Sequence, residues 1–430
     1  MRGAPESCTV LWRDHPHTAA LMDNVFDELQ ARGFIQQVTH GEVLRQRLGK
    51  ERVTFYVGFD PTAPSFHVGN LVPIMAMVHL QRAGHRPIAI LGGGTGLIGD
   101  PSGKTEMRQL LSRQTLAANA RALEAQLRRY LRFEGENAAL VLNNAEWLEE
   151  LKYIDFLRDI GRHFSVNRML SFETYRQRLE TGLSFLEFNY QVLQAYDFLV
   201  LYQRYGCLLQ LGGDDQWGNM VAGVDLIRRV ARGEAFAMTF PLITTASGQK
   251  MGKTAAGAVW LDAALVSPYE FYQFWINVDD RDVPRFLNYY TLLPRSEIAR
   301  LSALGGAAIR EAKEVLAFEA TALTHGMAAA EQARAAARAL FREGKDAEGM
   351  PETCVPKARL AAGLPLVDLL VETGLAPSKS AARRLIQQGG CQLNGARVTH
   401  TEVVLTPADV RDGVLMLRAG KKRYHRVRVV

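Results

Sequence analysis

Between residues 52 and 91 the hydrophobic pattern changes period twice, and this limits the possible folds more than any other feature of the chain. Residues 52–60 alternate and are rich in β-branched and aromatic side chains, as a strand requires. Pro61, Pro64 and Ser65 then turn the chain. From Leu71 the apolar residues fall at helical spacing, at Leu71, Ile74, Met75 and Val78. Asn70 suits the cap of that helix, Pro73 its first turn and Gly84 its end. Residues 86–91 read as a short buried strand. Strand, helix and strand make a βαβ unit, so the expected class is α/β with a parallel sheet.

His67-Val68-Gly69-Asn70 stands where that helix begins. Unpaired N–H groups and the helix dipole both favour an anion there. Taken alone, the four residues fit a plain cap and loop as well as they fit an anion site. Far along the chain comes Lys250-Met251-Gly252-Lys253-Thr254, set between Ala246-Ser247-Gly248 and Ala255-Ala256-Gly257. A small-residue loop of this kind can carry two ammonium groups and a hydroxyl onto phosphate oxygens, although two lysines also suit an ordinary solvated loop. In this order, the two motifs point to an enzyme that handles ATP phosphates from two sides.

Two glycine-rich stretches imitate other phosphate sites. Gly94-Thr95-Gly96-Leu97-Ile98-Gly99 fits a dinucleotide fingerprint, but Asp100-Pro101-Ser102-Gly103 follows where that fingerprint needs a continuing helix. Gly103-Lys104-Thr105 resembles the end of a P-loop, but Ile98 stands where its first glycine belongs. No Cys–His or Ser–His pairing has a catalytic context. The four cysteines have neither metal-ligand nor disulfide-framework spacing, which fits a reducing cytoplasm. No apolar run reaches the roughly 18 residues of a membrane span, and the N-terminus lacks the basic-then-apolar shape expected of a signal peptide.

The charge is unevenly spread. Residues 378–430 hold 11 Lys and Arg against 3 Asp and Glu, a net +8, whereas the whole chain carries +6. The basic excess therefore belongs to one small segment. Within it, Ser378 caps a helix whose polar side gathers Lys379, Arg383 and Arg384, Gly389-Gly390 ends that helix, and Asn394-Gly395 signals a hairpin turn. Charge concentrated in this way is the footprint of nucleic-acid binding.

With these motifs the chain resembles the bacterial tyrosyl-tRNA synthetases, class I aminoacyl-tRNA synthetases, from roughly residue 53 to the C-terminus. Gly58-Phe59-Asp60-Pro61-Thr62-Ala63, residues 93–104, Gln194-Ala195-Tyr196-Asp197-Phe198, residues 212–219 and Tyr272-Gln273-Phe274-Trp275-Ile276-Asn277 carry the likeness. The resemblance implies a Rossmann-like catalytic domain over residues 1–245. A lysine loop and helical domain over 246–345, a linker over 346–362 and a small α+β RNA-binding module over 363–430 would follow. It implies homodimers, with Phe185 at the interface, and the partners L-tyrosine, ATP with Mg²⁺, and tRNA(Tyr), with no tightly bound protein metal.

The resemblance also distributes roles. Tyr56 and Asp197 would meet the phenol of tyrosine, Asp100, Tyr190 and Gln194 its ammonium, and Gln216 its carboxylate. Spacings of four and three let one helix face present Tyr190, Gln194 and Asp197. Gly58, Asp60, His67, Gly69, Asn70, Gly213 and Asp215 would lie along ATP, with Lys104, Arg108, Lys250, Lys253 and Thr254 near its pyrophosphate. Lys379, Arg383 and Arg384 would meet tRNA. Four positions depart from the family pattern: Val57, Asn70, Met251 in place of an aromatic, and Asp214, which would add a negative charge near the ribose. A synthetase for tryptophan and a small-molecule nucleotidyltransferase are the alternatives; the Tyr56 and Asp197 pair argues against the first and the basic module against the second.

Overall fold

The computed structural model describes residues 24–102, 111–248, 251–254, 257–343, 351–411, 413–420 and 423–430, with only the backbone of Lys253, Thr254 and residues 339–343. Its main sheet has six strands: β1 (Gln37–Val38), β2 (Thr54–Phe59), β3 (Arg86–Leu91), β4 (Leu140–Asn143), β5 (Cys207–Gly213) and β6 (Phe236–Phe240). They lie in the order β1-β6-β5-β2-β3-β4. All neighbours are parallel except β1, which runs antiparallel along β6. The expected βαβ unit is present as β2, the helix Leu71–Arg82 and β3. That helix buries all its residues from Leu71 to Gln81 except Pro73, because it is covered on its outer side as well.

The order of the strands creates the site. The chain lays β3 and β4 outward on one side of β2, then returns with β5 and β6 on the other. Connections therefore leave in opposite directions at the β2/β5 seam, which opens a crevice at the carboxyl ends of those strands.

The helices Pro268–Ile276, Val283–Tyr290, Arg295–Ser302, Ile309–His325 and Met327–Glu343 follow. Their buried rings, Phe271, Tyr272, Trp275, Phe286 and Tyr290, belong to the same hydrophobic core as β2, Phe34 and the Leu71–Arg82 helix. Arg32 stitches the two parts together: it is buried and donates to the carbonyls of Thr291 (3.1 Å) and Leu293 (2.6 Å).

The C-terminal part has a separate core around Val355, Leu369, Leu370, Ile386, Leu415, Leu417 and Val427. Its five-stranded sheet contains the hairpin Cys391–Leu393 to Ala396–Val398. Asn394 (φ 49°) and Gly395 (φ 84°) form its turn, the left-handed pair that a two-residue hairpin requires. The structure corrects the stretch read as a linker. Glu352–Val355 is a strand of this sheet, parallel to Arg423–Val429, and Lys357–Ala361 is a helix. A four-residue edge strand has too little alternation to be recognised without its distant partner.

One ion pair braces the helix behind the crevice. Arg178 and Glu187 meet at 3.0 Å, with 3% and 2% of their side chains exposed. Glu187 also accepts from the Ser184 hydroxyl and N–H in a capping box that starts the helix Phe185–Tyr205. Arg178→Met would leave the carboxylate buried without its partner. We predict a loss of about 3–5 kcal/mol in urea unfolding; a loss below about 1 kcal/mol, the level of an exposed pair, would contradict this role.

Candidate active site

The crevice holds about 520 Å³. Tyr56, Gly58, Asp60, His67, Gly69, Asn70, Asp100, Tyr190, Gln194, Asp197, Gly213, Asp215 and Gln216, drawn from four separate stretches, all line it. Lys104, Arg108 and Lys250 lie outside the described residues. Lys253 and Thr254 form a short strand against Gly257–Ala258, described by backbone alone.

At the deep end, Tyr56 projects from β2 and packs on Phe198 with ring centroids 5.2 Å apart. Its buried hydroxyl has no hydrogen-bond partner among the described residues. Directly across on β5, Gln210 is equally buried, and its Oε1 also lacks a partner. Two such atoms on the floor of a cleft mark where a polar ligand belongs, because buried polar groups are otherwise satisfied. Asp197 enters the same floor. It accepts from Trp147 Nε1 at 2.7 Å and Asn144 Nδ2 at 2.9 Å. Burial pushes its carboxyl up to about 7, against the pull of those two donors. Burial, and then the charge of Asp197, raises the Tyr56 phenol as well.

Two further networks line the walls. Tyr190 donates to Asp60 Oδ2 (2.9 Å), and Thr95 donates to Asp60 Oδ1 (2.8 Å). Asn144 joins this set to the floor by donating to Thr95 as well (2.9 Å). On the other wall, Gln216 donates to Asp100 Oδ2 (2.7 Å), while Asn219 donates to Gln216 Oε1 (3.1 Å) and Gln194 Oε1 (3.0 Å).

At the outer end the turn 67–70 differs from the expected cap. His67, not Asn70, is the capping residue: its Nδ1 accepts from the Gly69 N–H at 3.0 Å, and Asn70 Oδ1 accepts from the His67 N–H at 3.1 Å. The reason is a single 3₁₀ turn at residues 68–70, which shifts the cap three residues back. With Nδ1 accepting, the imidazole proton sits on Nε2. Asn70, with its oxygen engaged, presents its amide N–H₂ as a donor.

The second motif docks on this turn. The Leu261 N–H donates to the Phe66 carbonyl (2.8 Å), Val68 N–H to Val259 (3.0 Å) and Val259 N–H to Gly252 (2.9 Å). Met251 is buried in the main core and holds Ile243 through its N–H (2.8 Å). Gly252 has φ +82°, and a Cβ there would stand 3.1 Å from His67 Nδ1 and 3.2 Å from the Gly69 nitrogen. A Cβ on Gly58, by contrast, would meet nothing within 4 Å: it would enter the open cleft.

The basic helix Lys379–Gln387 is capped by Ser378 and buries Ala382 and Ile386. Arg383 and Arg384 are exposed, whereas Lys379 is engaged with Asp368 at 2.8 Å. Sequence reasoning missed Asn144, Trp147, Thr95 and Gln210. Their one available signal was position: Asn144 and Trp147 directly follow β4, at the carboxyl end of a parallel strand.

Comparison with known proteins agrees with this arrangement. A family model described as tRNA synthetases class I (W and Y) matches residues 48–342, and one for the tyrosine–tRNA ligase SYY-like C-terminal domain matches residues 345–427. The tyrosine–tRNA ligase of Clostridium beijerinckii is 52% identical over 408 residues, covering 95% of this chain and all of its own. That of Desulfosudis oleivorans is 54% identical over 427 residues, covering 94% of this chain and 98% of its own. A C-terminally truncated mitochondrial tyrosyl-tRNA synthetase of Aspergillus nidulans superposes with a TM-score of 0.68 at 29% identity, over 78% of this chain and 98% of its own. A tryptophanyl-tRNA synthetase from Encephalitozoon cuniculi shares the fold alone, at TM-score 0.51 and 11% identity, over 77% of this chain and 92% of its own.

The raised Asp197 pKa fixes a sign. Its folded value of about 7 exceeds the ordinary 3.8, so the native state holds this proton more tightly than the unfolded chain. The group costs nothing below the ordinary value, and stability falls as pH rises from about 4 to about 7. Unfolding of wild type and Asp197→Asn across this range checks it. Wild type should lose stability relative to the variant as pH rises and then level off; a constant difference would contradict the burial argument.

Proposed function

The chain belongs to the tyrosine–tRNA ligases, class I enzymes that join tyrosine to tRNA with ATP, and we propose that its cleft seats tyrosine at the deep end and ATP at the outer end. The observation that carries the proposal is the unpartnered Tyr56 hydroxyl facing the Asp197 charge. A phenol can accept from Tyr56 and donate to Asp197, saturating both. Phenylalanine would leave the Tyr56 hydroxyl buried and unpaired and would offer Asp197 no further donor, which is costly. Asp100, Tyr190 and Gln194 then lie around the substrate ammonium, and Gln216 near its carboxylate.

ATP follows Gly58, Asp60, Gly69, Gly213 and Asp215 outward to the turn 67–70. The tyrosine carboxylate is already a nucleophile at neutral pH, so attack on the α-phosphorus needs no general base. Catalysis is positioning plus stabilisation of the charge that grows on pyrophosphate. His67 Nε2–H and the Asn70 amide supply donors on one side, and Lys250, Lys253 and Thr254, with Lys104 and Arg108, on the other. Among the described residues no group of three or more His, Cys, Asp or Glu could hold a metal ion. Mg²⁺ would accompany ATP and offset the charge of its phosphates.

The tyrosyl group then passes from adenylate to the terminal ribose of tRNA(Tyr). Arg383 and Arg384 meet the tRNA backbone, and Lys379 joins them by leaving an exposed pair of little energetic weight. A homodimer is supported by the exposed apolar side chains Tyr153, Ile154, Val166 and Phe185, the last 70% exposed. The proposed domains are a catalytic domain over residues 1–245, a lysine loop and helical domain over 246–345, and a C-terminal module taken to begin near Pro351, where the strand Glu352–Val355 joins its sheet. The proposed compartment is the cytoplasm, in keeping with the free thiols Cys207, Cys354 and Cys391.

ATP–pyrophosphate exchange, run across the amino acids on the full chain and on a chain ending at residue 350, tests this reading. We expect tyrosine-dependent exchange in both and tRNA charging in the full chain only. Exchange driven by tryptophan, or by no amino acid, would contradict the deep-end assignment. Full charging by the shortened chain would contradict the role of the basic module.

A further inference from the structure

Asp214 is the departure from the family pattern that promised most trouble, a second carboxylate beside Asp215. The structure turns it away from the cleft, which it does not line. Its Oδ1 accepts from Gln37 Nε2 at 2.7 Å and from the Thr239 hydroxyl at 2.8 Å. Thr239, fully buried on β6, in turn accepts from the Gln37 N–H at 3.0 Å. Gln37 is half of the two-residue strand β1, the antiparallel edge of the sheet. Three residues from three parts of the chain thus close a small ring of hydrogen bonds behind the active site.

The ring holds one end of the 3₁₀ turn Asp214–Gln216, which presents Asp215 and Gln216 to the cleft. Gln216 has anchors of its own, in Asp100 and Asn219. The Asp215 end is crowded: a Cβ on Gly213 would stand 2.6 Å from Asp215 Oδ1. Asp215 directly follows Asp214 in this turn, with its carbonyl accepting from the Thr174 hydroxyl at 3.2 Å, so a shift of Asp214 reaches Asp215 before Gln216.

We propose that Asp214 is a positioning residue for the nucleotide, tying the turn that carries Asp215 to the β1/β6 edge through Gln37 and Thr239. The inference rests on the assignment of ATP to the outer end of the cleft. Both bonds go to one oxygen, so an amide oxygen in the same place can accept them both.

Steady-state exchange kinetics with Asp214→Ala, Asp214→Asn, Gln37→Ala and the double variant Asp214→Ala/Gln37→Ala test it. Losing the acceptor should raise KM for ATP about five- to tenfold, leaving KM for tyrosine within about twofold. Asp214→Asn keeps an oxygen in place and should restore the wild-type KM for ATP. Gln37→Ala, the milder change should Asp214→Ala fold poorly, should move KM for ATP in the same direction. The double variant should be no worse than Asp214→Ala alone. An unchanged KM for ATP in Asp214→Ala and Gln37→Ala would overturn the proposal. So would a lowered KM for ATP in Asp214→Asn, which would show the charge acting directly on the nucleotide, or an equal rise in both KM values. Failure of the underlying assignment is distinct: wild type itself would show no tyrosine-dependent exchange.

Discussion

Two backbone hydrogen bonds join two segments that lie far apart in the chain, Leu261 to Phe66 and Val68 to Val259, and a third, Val259 to Gly252, ties the lysine loop to its own exit. Through them the exit of the lysine loop is zipped onto the entry of the turn 67–70. Everything at the outer end of the cleft depends on this contact. It places the Gly252 backbone against His67 and Gly69, and a side chain on either glycine would prise them apart. A wall built from two distant segments can close on a triphosphate from both sides, which neither segment could do alone. The buried Met251 explains why the loop tolerates a flexible apolar residue in place of an aromatic: it needs an anchor in the core, and methionine fills irregular space.

In the proposed reading the deep end works by the opposite device, leaving polar groups unpaired until substrate arrives. Burial raises the Asp197 carboxyl and the Tyr56 phenol, and Tyr56 and Gln210 hold polar atoms without partners among the described residues. Those are costs to the free protein that the proposed phenol would relieve. The β2/β5 seam allows both devices in one cleft, since a topological switch point opens the sheet without breaking its ladder. The bracing of the Phe185–Tyr205 helix by Arg178 and Glu187, and of the Asp214–Gln216 turn by Gln37 and Thr239, keeps the two ends in register.

What could be read from the residues followed local rules. The βαβ unit, the shared helix face of Tyr190, Gln194 and Asp197, and the Asn394-Gly395 hairpin each rest on spacing or on a required φ, and each is present. What could not be read was set by distant partners. Asn70 looked like a helix cap until one 3₁₀ turn gave that task to His67. Asp214 looked like a charge in the site because only tertiary structure reveals Gln37 and Thr239 behind it. Asn144 and Trp147 carry no motif, and their value lies in reaching Asp197 from another strand. Glu352–Val355 reads as linker because its strand partner is Arg423–Val429, far along the chain.

The central claim is that the two motifs form one phosphate-binding wall by direct docking, and Gly252→Ala tests it most directly. The substitution strains a φ of +82° and sets a methyl group against His67, Val68 and Gly69. The measurement is the single-turnover rate constant for adenylate formation from bound tyrosine and ATP, together with tyrosine affinity. The account predicts a rate constant lowered by at least about tenfold with tyrosine affinity unchanged. An unaltered rate constant, or a loss of tyrosine affinity as large as the loss in rate, would contradict it.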